Sequence, residues 1–163
     1  MKPATIKQLK DEIQHYSAEE LRVLLLRLGR FKAENKELLT YLLFEAHDEA
    51  AFVQAIKKEM DVDFSLINTA SPFYIKKSLR KILRKIRKYS RYSSQKETEV
   101  ELLLYFTRQL KNIHPPIQQY SNLLKIYHQQ LMNIGNKLPK LHEDLQYDVR
   151  LELDELTKLS RHS

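Results

Sequence analysis

A chain of 163 residues, 42% hydrophobic and 30% charged, is long enough for one packed domain. The absence of cysteine excludes disulfide staples and thiolate metal ligands, and two glycines and five prolines are too few for the turns of a β protein. Leu, Lys, Glu, Gln and Arg, all good helix formers, dominate instead. The expected fold class is therefore all-α: a single domain over residues 1-163 with about seven helices, built as a helical bundle or a short alpha-solenoid-like array of helical hairpins.

In chain order, Thr5 to Tyr16 places Ile6, Leu9 and Ile13 at helical spacing. This N-terminus has charges throughout and no apolar leader segment, and the longest apolar run, Leu102 to Phe106, is far short of the roughly 18 residues needed to span a bilayer. A cytoplasmic protein without a transmembrane segment is the expectation. Ser17-Ala-Glu-Glu20 matches a capping box and opens a second helix with the stripe Leu21, Leu24, Leu25, Leu28 and Phe31. A break near Gly29 to Asn35 precedes a third helix carrying Leu38, Leu39, Leu42, Leu43 and Phe44. Asp48 can cap a fourth, with Phe52, Val53, Ile56 and Met60 inward and fraying across Asp61-Val-Asp63.

The next stretch, SPFYIKKSLRKILRKIRKYSRY from Ser71 to Tyr92, dominates the electrostatics. It holds nine lysines and arginines and no acid, while the rest of the chain has 19 basic against 21 acidic residues, so one helix at about 72-92 supplies more than the whole net charge of +7. Ser71 suits the N-cap and Pro72 the first helical position. On a helical wheel Ile75, Leu79, Ile82, Leu83, Ile86 and Tyr89 fall within an arc of about 120°, with the cations opposite.

Ser94-Gln-Lys-Glu97 repeats the capping-box pattern and introduces Val100, Leu103, Leu104, Thr107 and Leu110; Pro115-Pro116 must stop that helix by His114. Ile117 to Ile134 carries Tyr120, Leu123, Leu124, Tyr127 and Leu131, with Gly135 placed as a left-handed cap. Pro139 opens a last helix, running to about Leu159, with the stripe Leu141, Leu145, Val149, Leu153 and Leu156. Glu20–Lys32 and Glu99–Lys111 echo one another, a faint suggestion of two similar halves.

The segments KAENKELLTYLLFEAHDEAAF, KKSLRKILRKIRKYSRYSS and HEDLQYDV together resemble a family of uncharacterised bacterial all-helical proteins, across most of the chain. The resemblance implies a bacterial cytoplasmic origin and a helical fold. It implies no activity and transfers no functional residue.

Signatures of chemistry are sparse. Two isolated glycines cannot cradle a phosphate, no serine sits in a nucleophile context, and His15, His47, His114, His128, His142 and His162 are scattered. Neither catalytic residues nor a cofactor are expected, and an enzyme with an unrecognised site is only a further alternative. Asp144, Asp148 and Glu152 form an acidic row that reads as a salt-bridging helix flank and not as a metal site, having too few oxygen ligands. The leading expectation is a non-enzymatic binding or scaffold protein that meets another protein through helix surfaces. The alternative is nonspecific nucleic-acid binding through Lys77, Arg80, Lys81, Arg84, Arg87, Lys88 and Arg91, with Tyr74 and Tyr92 at the margin to stack on bases. The choice depends on whether the acidic C-terminal helix neutralises the basic face.

Overall fold

The computed structural model describes residues 1–158, and the expected helix end at Leu159 and His162 lie outside them. The described residues hold eight α-helices and no strand: α1 (Ile6–Ile13), α2 (Ala18–Phe31), α3 (Ala33–Thr40), α4 (Glu49–Ser65), α5 (Pro72–Tyr92), α6 (Lys96–Lys111), α7 (Ser121–Lys137) and α8 (Glu143–Lys158). The chain separates into two compact units, Met1–Glu45 and Ala46–Ser163.

In the first unit, the Ser17 hydroxyl accepts from the Glu20 amide and the Glu20 carboxylate accepts from the Ser17 amide, so the capping box forms as read. The break between α2 and α3 is a single extended residue, Lys32, and α2 runs straight through Gly29. Here glycine serves close approach, since a Cβ at Gly29 would lie 2.8 Å from Leu39 Cδ1. Because α3 packs on the glycine side, the expected core stripe is exposed: Leu24, Leu25, Leu28 and Phe31 are 37, 50, 57 and 75% accessible. Ile6, Leu9 and Ile13 of α1 are exposed as well. Beyond α3 the helix widens into one π-type turn at Tyr41–Glu45, which buries Tyr41 and leaves Leu42, Leu43 and Phe44 exposed.

The second unit is built around α6, which packs on α4, α5, α7 and α8. Its buried residues lie all round it, from Thr98 and Val100 through Leu102, Leu103, Leu104, Phe106 and Thr107 to Leu110, as a helix with packed neighbours on most sides requires. Glu97 and Glu99 in its first turn and Arg108 and Lys111 in its last complement the helix dipole. Its burial differs from that of α2, the helix whose sequence it echoes, since α2 buries only Gly29.

On α5 the expected apolar arc is buried at Ile75, Leu79, Ile82, Leu83 and Ile86, each contributing roughly 1.5–3 kcal/mol relative to exposure. Pro72 occupies the first turn as expected, but Ser71 caps through its carbonyl, which accepts from the Tyr74 and Ile75 amides, and not through its hydroxyl. Asp48 caps α4 by accepting from the Ala51 amide. That helix does not fray at Asp61 and Asp63, because each carboxylate is held by another helix. Tyr105 Oη and Gln109 Nε2 donate to Asp61 at 2.6 and 2.8 Å, and Lys85 Nζ donates to Asp63 at 2.6 Å. The hydrogen bond to Asp61 also raises the Tyr105 phenol above its ordinary pKa.

The Ser94 capping box does not form. The hydroxyls of Ser93 and Thr98 instead donate to the carboxylate of Glu49 in α4, and α6 begins at Lys96. It ends at Lys111, ahead of His114, and Ile117–Gln119 is a separate 3-10 turn before α7. Gly135 is not a left-handed cap; no residue among those described has a positive φ, and α7 continues to Lys137. Leu138–Lys140 is likewise a 3-10 turn, so α8 starts at Glu143 and not at Pro139. Of its stripe, Leu141 and Leu156 are buried while Leu145 is exposed.

Three measurements check this packing. Ile82→Asp, which puts a carboxylate at a site only 2% accessible, is expected to destabilise by at least ~3 kcal/mol in urea titration. An unchanged midpoint would show that this face of α5 is not core. Gly135→Ala is expected to stabilise by about 0.5–1 kcal/mol, since the nearest atom to an added methyl is Leu153 Cδ2 at 3.8 Å, an ordinary contact. Burial pushes the Tyr127 phenol, which donates to the Leu156 carbonyl at 2.8 Å, up to about 12. Its protonated form favours the fold, so stability should fall as pH rises from ~10 toward that value. Tyr127→Phe should cost about 1 kcal/mol at neutral pH and flatten the alkaline loss.

Candidate nucleic-acid interface

The cations of α5 divide by the helix they face. On the α4 side, Lys85 pairs with Asp63 at 2.6 Å and lies 3.8 Å from Glu59, and the Tyr89 hydroxyl donates to Glu59. Lys88 lies over the Tyr89 ring at 5.0 Å. Lys88 and Arg91 both make further interactions and are not open cations. Of the nine, Lys76, Lys77, Arg80, Lys81, Arg84 and Arg87 make no ion pair among the described residues.

Four of these six line a groove of about 490 Å³ between α5 and α7. Lys76, Arg80, Arg84 and Arg87 recur along one side of α5 at intervals of three or four residues, forming a row about 16 Å long. Asn122, Lys125, Gln129 and Gln130 face them from α7. Leu83 and Ile126 make an apolar floor, giving five cations, three amides and no acid. The buried amide of Gln130 is fixed: its Nε2 donates to the Ile126 carbonyl and its Oε1 accepts from Asn133. The groove therefore has a hydrogen-bonded amide in one wall and a rim of long cationic side chains.

No described residue of the acidic C-terminal helix lines this groove. That helix packs on α6 and α7, and its Glu152 pairs with Arg108 of α6 at 2.5 Å, while Asp144 lies 3.4 Å from His142. Asp144, Asp148 and Glu152 thus do not converge, and no cluster of three or more potential metal ligands occurs among the described residues. Glu99 and Glu101 of α6 are likewise occupied, by Lys137 and Lys57.

The two tyrosines expected at the margin part company. Tyr74 is 45% exposed, but Tyr92 is only 7% exposed and packs edge-on against Tyr89, so it offers no face to a base. Its wheel angle places it beside the arc, and the last turn of α5 tucks it into the core. The sequence reading passed over Phe73, which is 69% exposed and forms an edge-on pair with Tyr74 at 5.5 Å. Phe73, Arg80 and Arg87 recur every seven residues and lie along one line of α5, so the aromatic pair stands at the N-terminal end of the cationic row. Lys76, Lys125 and the α7 amides also went unnoticed as site residues. The 122, 125, 129 spacing marks one helix face, but nothing in the sequence pairs that face with α5. Compared with known protein families, curated proteins and solved structures, the chain matches none.

Proposed function

We propose that this protein binds single-stranded nucleic acid in the groove between α5 and α7, holding it by its phosphates with little sequence preference. The observation that carries this reading is the cationic row of Lys76, Arg80, Arg84 and Arg87 faced by Lys125, with no acid in the groove to neutralise it. A row of about 16 Å suits a chain of phosphates better than one isolated anion. Phe73 and Tyr74 supply exposed rings for a base at one end, and Asn122 and Gln129 offer amide donors and acceptors to sugars or base edges. The role is one of binding, in a cytoplasmic setting that suits a cysteine-free chain. No helix among the described residues is long and apolar enough to cross a membrane.

The protein-interaction role first expected from the sequence is supported by a different surface, the exposed apolar side chains of residues 1–45.

Fluorescence anisotropy with labelled single-stranded and duplex oligonucleotides tests the nucleic-acid reading. Five cations displacing counterions give an expected log–log salt slope near −3.5 for a single strand, hence about 100-fold weaker binding at ~200 than at ~50 mM salt. Arg80→Glu with Arg84→Glu should weaken binding at least tenfold. Lys58→Glu with Lys96→Glu, the same charge change outside the groove, should leave most of it. Absence of binding by the wild type at low salt, or equal losses in the two double variants, overturns the proposal.

A further inference from the structure

The amides of α7 form a relay with a fixed direction. Gln130, only 3% exposed, donates through Nε2 to the Ile126 carbonyl, a group that can only accept. That bond leaves Gln130 Oε1 to accept from Asn133 Nδ2 at 3.1 Å, and Asn133 Oδ1 in turn accepts from Gln129 Nε2 at 3.1 Å. Each amide is therefore turned one way only. The relay ends at Gln129, whose Oε1 makes no hydrogen bond among the described residues, so the α7 wall of the groove offers an acceptor opposite the cationic row of α5. Asn122 lines the same groove seven residues earlier, and its whole amide is without a hydrogen bond among the described residues.

An open acceptor is a poor partner for a phosphate, whose oxygens are acceptors too. Of the parts of a strand that recur at every nucleotide, phosphate and deoxyribose bring no hydrogen-bond donor, and ribose brings one, its 2′-hydroxyl. Against deoxyribose, Gln129 Oε1 would meet a methylene and give up water for nothing. Base edges carry donors as well, but these differ from base to base and cannot serve a site of little sequence preference. The 2′-hydroxyl also accepts, which suits the amide hydrogens of Asn122. The two amides stand about 10.5 Å apart along α7, nearly twice the ~6 Å step from Arg80 to Arg84, so they fall beside alternate nucleotides when each arginine takes one phosphate.

We infer, resting on the nucleic-acid reading above, that the groove selects RNA over DNA, with Gln129 Oε1 accepting from one 2′-hydroxyl and the Asn122 amide bonding another.

Fluorescence anisotropy on the full chain tests this with two labelled single strands of one sequence of adenine and cytosine, one built on ribose and the other on deoxyribose, so that the bases are identical. Each net hydrogen bond changes affinity roughly fivefold, and RNA is expected to bind at least about tenfold more tightly. Asn122→Leu with Gln129→Met, at two exposed positions, should bring RNA down to the affinity of DNA. The same double variant should change DNA binding by less than ~threefold and leave the salt slope as it was, because the same phosphates are held. Equal affinity of the wild type for the two strands overturns this inference while leaving the groove a phosphate site for either nucleic acid. A double variant that loses RNA and DNA binding alike also overturns it. Binding of neither strand at low salt overturns it together with the reading on which it rests.

Discussion

The architecture of the second unit depends on the conflict carried by α5, in which five aliphatic side chains that favour burial share 21 residues with nine cations that cannot be buried unpaired. Only one rotation of the helix about its axis satisfies both demands. Once Ile75, Leu79, Ile82, Leu83 and Ile86 point at the core, the cations are confined to the outer half and its two flanks. The neighbouring helices then decide their fate. Helix α4 brings Asp63 and Glu59 and neutralises one flank, whereas α7 brings Lys125 and amides and adds to the charge of the other.

Much of this was legible because helical periodicity is a local property. The bounds of α5, the Ser17 capping box, the Asp48 cap and the inward faces of α4, α6 and α7 all follow from residues within a few turns of one another. What failed to read depended on partners distant in sequence. Asp61 and Asp63 look like helix breakers until Tyr105, Gln109 and Lys85 arrive to hold them. Ser94 looks like a cap until Glu49 recruits Ser93 and Thr98. Gly29 and Gly135 both look like punctuation, yet both sit inside helices, the former because Leu39 needs the room.

The first unit is the larger departure, and its cause is geometric. A leucine stripe on a helix states that the face avoids water without stating what will cover it. With a single residue between α2 and α3, the chain folds back on the side where glycine allows close approach, and the stripe is left outside. The cationic groove was half legible for a similar reason. Its α5 wall is written in one continuous segment, while its α7 wall follows from a packing between helices some forty residues apart, which no spacing rule within either helix specifies.

The one-sided neutralisation of α5 also bears on kinetics. Had all nine cations remained open, the field would surround half the helix and draw a polyanion onto it from many directions, most of them unproductive. With Lys85 engaged by α4, the positive potential leans toward α7, and for a polyanion bound as proposed, long-range attraction would favour trajectories that end in the groove. A carboxylate pair on one side of a helix can in this way act as an electrostatic shutter, raising the fraction of collisions that arrive in the right orientation without touching the ligand at all.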